Sequence, residues 1–191
     1  MNIHEAIRER RSIRKFQSTP VSEQDLLDIM EAGVYAPSGV NTQPWYYIAI
    51  QNPDDMQVLK SLMRETVQRF RPNLEKRFSR NPETVVETES FIGSLGGAPA
   101  CILVFMLKPE YNGQVSPLQS VSAGVQNMLL EIHAKGLGAC WMTAPLEAGI
   151  APEIHKRFAP DKGEMVAMIP LGYPDQTRTA PKRREGRFEI R

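Results

Sequence analysis

Two groups of bases and one loop of amides are the parts of this chain whose residue types and spacing could do chemistry. Residues 10–16 read RRSIRKF, so Arg10, Arg11 and Arg14 stand around Ser12. Guanidinium forks with a hydroxyl among them match the oxygens of a phosphate, since each fork donates two parallel hydrogen bonds to an anion. A second group, Lys182, Arg183 and Arg184, lies near the other end of the chain. The loop covers residues 36–44, where Ser38, Gly39, Asn41, Thr42 and Gln43 are bracketed by Pro37 and Pro44. Its amides and hydroxyls donate and accept without charge, which suits a neutral planar ligand with a polar edge as well as it suits an ordinary turn.

Other chemistries find little to use. His4, His133 and His155 stand at no catalytic spacing, and the HxxxH, CxxC and GxSxG patterns are absent. Cys101 and Cys140 are far apart with no histidine at ligand spacing, so they read as reduced, buried side chains and not as a disulfide or a metal site. Gly136 and Gly138 form a GxG without its third glycine and after a helical pattern, which fails the context of a dinucleotide-binding turn.

Net charge is only +1, but its distribution is uneven. Residues 8–15 and 178–191 together carry eleven bases and three acids, leaving 12 bases against 19 acids in the rest, a net −7. Two short basic clusters at the ends of an acidic body fit a small anionic ligand better than a nucleic acid, which asks for a broad basic face. Solvated basic termini are the plainer alternative. A charged start without an apolar core, and a longest apolar run of about eight residues, point to a cytoplasmic chain that neither enters nor crosses a membrane.

The elements that must position these groups follow from periodicity. At 191 residues and 41% hydrophobic content, one domain is expected. Asn2 caps a helix to about Arg10 with Ile3, Ala6 and Ile7 on one face; Ser22 with Asp25 opens a second bearing Leu26, Leu27, Ile29 and Met30. The loop at 36–44 feeds a strand at 45–50, and Asn52, Pro53 and Asp54 begin a third helix with Met56, Leu59, Leu62, Met63 and Val67 at helical spacing. Residues 71–97 turn polar and read as a mobile helical excursion, either a lid or a plain surface insertion, too poor in apolar positions for a core of its own. Residues 98–107 form a strand buried on both faces, Tyr111, Asn112 and Gly113 a turn, and Ser116 and Pro117 open a long, largely apolar helix that Gly136 stops. Strands at 139–143 and 165–171 follow, the second with Pro170 at an edge or exit, and a weak helix at about 152–158 lies between them. Alternation of Phe188 and Ile190 with charges suits a terminal strand that joins a free sheet edge.

Taken in order, RRSIRKF at 10–16, PSGVNTQPW at 37–45, GLGACWMT at 136–143 and the GYP then PKRR ending resemble the nitroreductase family of flavin enzymes across almost the whole chain. The resemblance implies an α+β fold of nitroreductase type: a mostly antiparallel central sheet surrounded by helices, in an intertwined homodimer, with residues 178–191 extending toward the partner. It also implies one FMN in each interface pocket, with NAD(P)H as co-substrate. Carried over by position, Arg10, Arg11, Ser12, Lys182 and Arg184, with Arg183 as an alternative, would hold the phosphate. Arg14 would face the pyrimidine edge, where a cation favours the negative charge of the reduced ring. Pro37, Ser38, Gly39 and Asn41 would come from the partner chain with Gln43 close by. The backbone of Trp141, Met142, Thr143 and Ala144 would line the ring, with the Thr143 amide at N5. Thr143 stands where some members carry an acidic residue, and neither Asn73 nor Asn81 is matched to the helical asparagine that some members direct at the flavin.

The implied activity is ping-pong hydride transfer from NAD(P)H through flavin N5 to a small acceptor such as a nitroaromatic or quinone, with no metal and no side-chain acid, base or nucleophile. A non-catalytic flavin carrier or redox sensor is the alternative.

Overall fold

A computed structural model describes residues 1–108 and 115–191 of the chain. Four strands, β1 (Trp45–Ile50), β2 (Ala100–Met106), β3 (Gly138–Ala139) and β4 (Glu164–Gly172), form one sheet in the order β1-β2-β4-β3, antiparallel at every pairing. The β2 run ACILVFM is buried at every position because the sheet is covered on both faces, as its unbroken apolar character predicts. Period-two alternation sends Cys101, Leu103 and Phe105 into one core and Ala100, Ile102, Val104 and Met106 into the other. Each of the larger side chains, wholly withdrawn from water, stabilises the fold by roughly 1.5–3 kcal/mol before entropy is counted.

Helices supply the two outer layers. On the second core lie α2 (Glu23–Val34) and α5 (Val115–Ala134), with Leu26 and Ile29 from the first and Val121, Val125, Met128, Leu129 and Ile132 from the second. On the first lie α3 (Pro53–Arg77), α4 (Pro82–Ser94), the short α6 (Ala144–Glu147) and α7 (Ala151–Phe158). The amino-terminal α1 (Ile3–Glu9) carries a full capping box between Asn2 and Glu5, and Ser22 caps α2 through the Asp25 amide at 3.0 Å. Gly136 ends α5 at φ +75°, a left-handed conformation that only glycine adopts without cost.

Several expectations need correction. Of the α1 face only Ala6 is buried, and Ile3 and Ile7 are exposed. The strand expected at 139–143 is paired only over Gly138–Ala139, with a single further bridge at Met142. Pro170 explains this: it lies inside the sheet between β2 and β3, not at an edge. Its carbonyl accepts from Cys140 N at 3.2 Å, but it has no N–H to return the bond, so regular pairing stops there. Residues 187–191 form no strand within this chain, and Phe188 and Ile190 are exposed. Segment 71–97 builds no core of its own, as expected, but Leu74, Val85, Phe91, Ile92 and Leu95 join the first core, and α3 continues to Arg77 through Pro72. The turn expected at residues 111–113 lies outside the described residues.

Candidate functional site

The open edge of the sheet beside β3 is where the candidate residues converge. Segment 10–14 lies along β3 as a fifth, irregular strand, joined by the parallel bridge of Ser12 with Ala139 and by Ile13 N to Ala139 O at 2.9 Å. Past Ala139 the chain continues alone. The amides of Cys140 and Met142 point to β4, bonding Pro170 O and Met168 O at 3.2 and 2.9 Å. Extended backbone alternates, so the amides of Trp141 and Thr143 point the other way, and neither meets an acceptor among the described residues. Unpaired amides on a sheet edge are donors in search of a planar acceptor.

They face a cavity of about 910 Å³, within the upper range of small-molecule sites, lined by Arg14 and by Trp141, Met142, Thr143 and Ala144. The cavity is walled on its far side by the α3–α4 hairpin through Arg77, Thr84, Glu87, Thr88 and Phe91. Arg14 is held at the mouth with its guanidinium carbon 5.7 Å from the Phe91 ring centroid, a cation–π contact. Gly96 makes this possible: it sits at φ +65°, and a β-carbon there would lie 2.2 Å from the Arg14 carbonyl oxygen. Cys140 lies behind, beside Ser12. Burial pushes its thiol up, and Arg14, the Ser12 hydroxyl and Arg10 offset only part of that, so the sulfur stays protonated.

The two basic ends of the chain share a cleft that Arg10, Arg11 and Arg178 all line. Burial, then repulsion from Arg11 and Arg183, lowers the Arg10 pKa, with Cys140 opposing, so a residue near the start feels one near the end. Like charges brought this close leave a potential that an anion would relieve. Lys182, Arg183 and Arg184 lie on an exposed tail. Arg11 is turned inward: its Nη1 donates to the carbonyls of Arg8 at 2.7 Å and Arg10 at 2.6 Å, closing the end of α1, and its buried Nε meets no partner among the described residues. Arg10 and Arg11 line a smaller cleft of about 300 Å³ with His133, whose pKa burial lowers with help from Arg10 and Arg11 and against Glu9.

The amide loop stands apart from both cavities of its own chain. It contains a 3-10 turn, Gly39–Asn41, and holds Val40, Asn41 and Gln43 at φ +44°, +57° and +47°. For a β-branched valine, 86% exposed, this is a strained conformation that its surroundings must impose. Ser38 Oγ accepts from Gln43 N at 3.0 Å, and Asn41 Oδ1 accepts from Gln43 Nε2 at 3.2 Å. Ser120 Oγ on α5 accepts from Gly39 N at 3.3 Å. Pro37, Ser38, Gly39, Asn41 and Gln43 therefore form a pre-set surface outside the Arg14 cavity of their own chain.

Sequence reasoning assigned nothing on the hairpin, yet Thr84 and Thr88, four residues apart on α4, share the cavity with Arg14. Glu147, Gln176 and Arg178 also line it and were not singled out. The Thr84, Thr88 and Phe91 spacing was the one signal that could have found a cavity-facing stripe. His155 is a packing residue, as expected: Nε2 lies 3.0 Å from Lys162 O, and its ring stands 6.1 Å from that of Phe105.

One antiparallel sheet with helices on both faces places the chain in the α+β class. The chain belongs to the nitroreductase family, whose pattern matches residues 7–173, and it has the nitroreductase-like fold. A Bacillus subtilis protein, YfhC, described provisionally as an NAD(P)H nitroreductase, is 28% identical over 183 residues, covering 95% of this chain and 89% of that one. Iodotyrosine deiodinase of Drosophila melanogaster is 30% identical over 198 residues, with 94% of this chain matched to 64% of its length. A crystal structure from Desulfovibrio desulfuricans, provisionally described as a nitroreductase and in complex with FMN, superposes with a TM-score of 0.73 at 28% identity, covering 97% of this chain and 94% of that one.

Proposed function

We propose that the chain is an FMN-dependent oxidoreductase that passes a hydride from NAD(P)H to a small acceptor. The observation that carries this is the free amide pair of Trp141 and Thr143 on a sheet edge, opening into the Arg14 cavity. Donors without acceptors and a cation beside them fit the polar edge of an isoalloxazine ring. When bound, FMN supplies the two-electron chemistry at N5.

The protein's own residues bind, orient and exclude water. Arg10 and Ser12 with Lys182 and Arg184, or Arg183 in place of one of them, hold the phosphate. Arg11 joins them less directly, because its Nη1 closes the end of α1 and its Nε is buried. Arg14 stands at the pyrimidine edge and favours charge developing there on reduction. The Thr143 amide donates at N5, and Met142 and Ala144 complete that wall. The α3–α4 hairpin closes the space in which nicotinamide and acceptor take turns.

The site is completed by a second copy. The 36–44 loop is pre-set but lines neither the Arg14 cavity nor the Arg10 cleft, and a lone chain leaves Tyr35 79%, Val40 86%, Phe188 95% and Ile190 100% exposed. Apolar side chains left in water, two of them at or beside a strained loop, mark a surface that another chain covers. In a homodimer Pro37, Ser38, Gly39 and Asn41 reach the partner's ring with Gln43 beside them, and the 178–191 tail crosses the same interface. No helix among the described residues is long and apolar enough to cross a membrane.

The deiodinase relative favours a second acceptor class, the halogenated aromatics, on the same ring and cavity. Anaerobic mixing of the FMN-loaded protein with NADH or NADPH tests the reading. Loss of the visible flavin bands followed by their return on adding a nitroaromatic, a quinone or an iodophenol supports it and names the acceptor. Bands that persist with both nicotinamides contradict it and leave a carrier or sensor.

A further inference from the structure

The cavity wall holds a three-residue chain that the functional reading does not use. Thr143 donates its hydroxyl to Glu147 Oε1 at 3.3 Å, one turn on across α6. The other oxygen, Oε2, accepts from Arg77 Nη2 at 3.2 Å. Arg77 is the last residue of α3, and its guanidinium also lies 5.9 Å from the Phe70 ring centroid. All three line the cavity, and the ion pair joins residues 70 apart in sequence.

Stability does not account for the arrangement. Arg77 and Glu147 are 56% and 39% exposed, and pairs of that kind contribute about 0–1 kcal/mol. Their place in the wall matters more. A carboxylate and a guanidinium fixed beside a partly water-excluded cavity act on any charge that changes inside it. The carboxylate is also within hydrogen-bond reach of the Thr143 hydroxyl.

We infer that Glu147 is a positioning residue, holding Thr143 through its hydroxyl, and that Glu147 and Arg77 together set the reduction potential of the ring bound there. This rests on the functional reading above. A hydride from the nicotinamide brings two electrons and one proton, leaving the oxidised nicotinamide behind and the site one unit more negative. Glu147 opposes that added charge and Arg77 favours it, so neutralising each moves the equilibrium in opposite directions.

The test is the midpoint potential of FMN-loaded protein, measured by equilibration with a redox dye. Glu147→Gln, which keeps an acceptor for Thr143, is expected to favour reduction by about tenfold, an upward shift of about 30 mV for a two-electron couple. Arg77→Met is expected to move it down by a similar amount, and the double variant to return close to the starting value. Glu147→Asp, which keeps the charge, is expected to stay within about twofold of it. Opposite shifts cannot arise from loosened packing, which would move all variants alike. Glu147→Gln and Arg77→Met shifting in the same direction, or both by less than about twofold, overturn the inference while leaving FMN binding intact. A wild-type chain that takes up no FMN removes the functional reading, and this one with it.

Discussion

Replacing Arg10 with alanine separates binding of a phosphate from binding of a ring. Burial first, then the repulsion of Arg11 and less that of Arg183, lower the Arg10 pKa, so its positive charge is disfavoured where it stands. A phosphate monoester carries close to two negative charges at neutral pH and relieves that repulsion. A hydrogen bond to a charged group contributes about 1.5–3 kcal/mol, and 1.4 kcal/mol is tenfold in affinity, so Arg10→Ala is expected to weaken FMN roughly 10- to 150-fold. Riboflavin, which has the ring and lacks the phosphate, is expected to change by no more than about twofold. Quenching of flavin fluorescence on titration with protein, at about 0.15 M salt so that surface charges are screened, reads both constants. The apoprotein variant should melt no lower than the wild type, since one like charge has been removed. Equal losses for FMN and riboflavin, or none for either, would refute the placing of Arg10 at phosphate.

Two further substitutions probe the scaffold. Gly96→Ala puts a β-carbon 2.2 Å from the Arg14 carbonyl at a positive φ, and is expected to cost about 1–3 kcal/mol by denaturant midpoint and to lower FMN affinity by displacing Arg14; an unchanged midpoint would mean that Gly96 is not under this constraint. Lys135 sits 3.0 Å from Asp25 and 2.6 Å from Asp28. The Ser22 hydroxyl and then Lys135 lower the Asp25 pKa, and Lys135 first lowers that of Asp28. Because both folded values lie below the ordinary value of about 3.9, their contribution is present above that pH and lost as pH falls below it. Lys135→Met should therefore flatten the fall in melting temperature below about pH 4, and an equally steep fall would contradict the pairing.

Most of the sheet and its helices were legible because their signals are local. The unbroken β2 run, the Asn2 and Ser22 caps, and the Val121 to Ile132 face of α5 each need only their own neighbours to be read. What failed depends on pairing between distant segments. Pro170 looked like an edge residue because proline cannot donate, and only its register with Cys140 shows the missing donor ending β3 instead. Phe188 and Ile190 alternate as a strand would, but alternation does not supply a partner, and among the described residues they pair with none. Of the residues assigned from the sequence, Arg14 and the contiguous 141–144 stretch share one cavity, and Arg10 and Arg11 line a second. Thr84, Thr88, Arg77 and Glu147 escaped because their common cavity exists only once α3 and α4 fold back over the sheet edge.

The visible absorption spectrum of the protein, purified or after mixing with FMN and removal of the excess, tests the central claim most directly. If Trp141 and Thr143 offer their free amides to an isoalloxazine ring, the protein is yellow, with about one FMN per chain and flavin bands shifted from those of the free cofactor. A colourless protein that retains no FMN would contradict it.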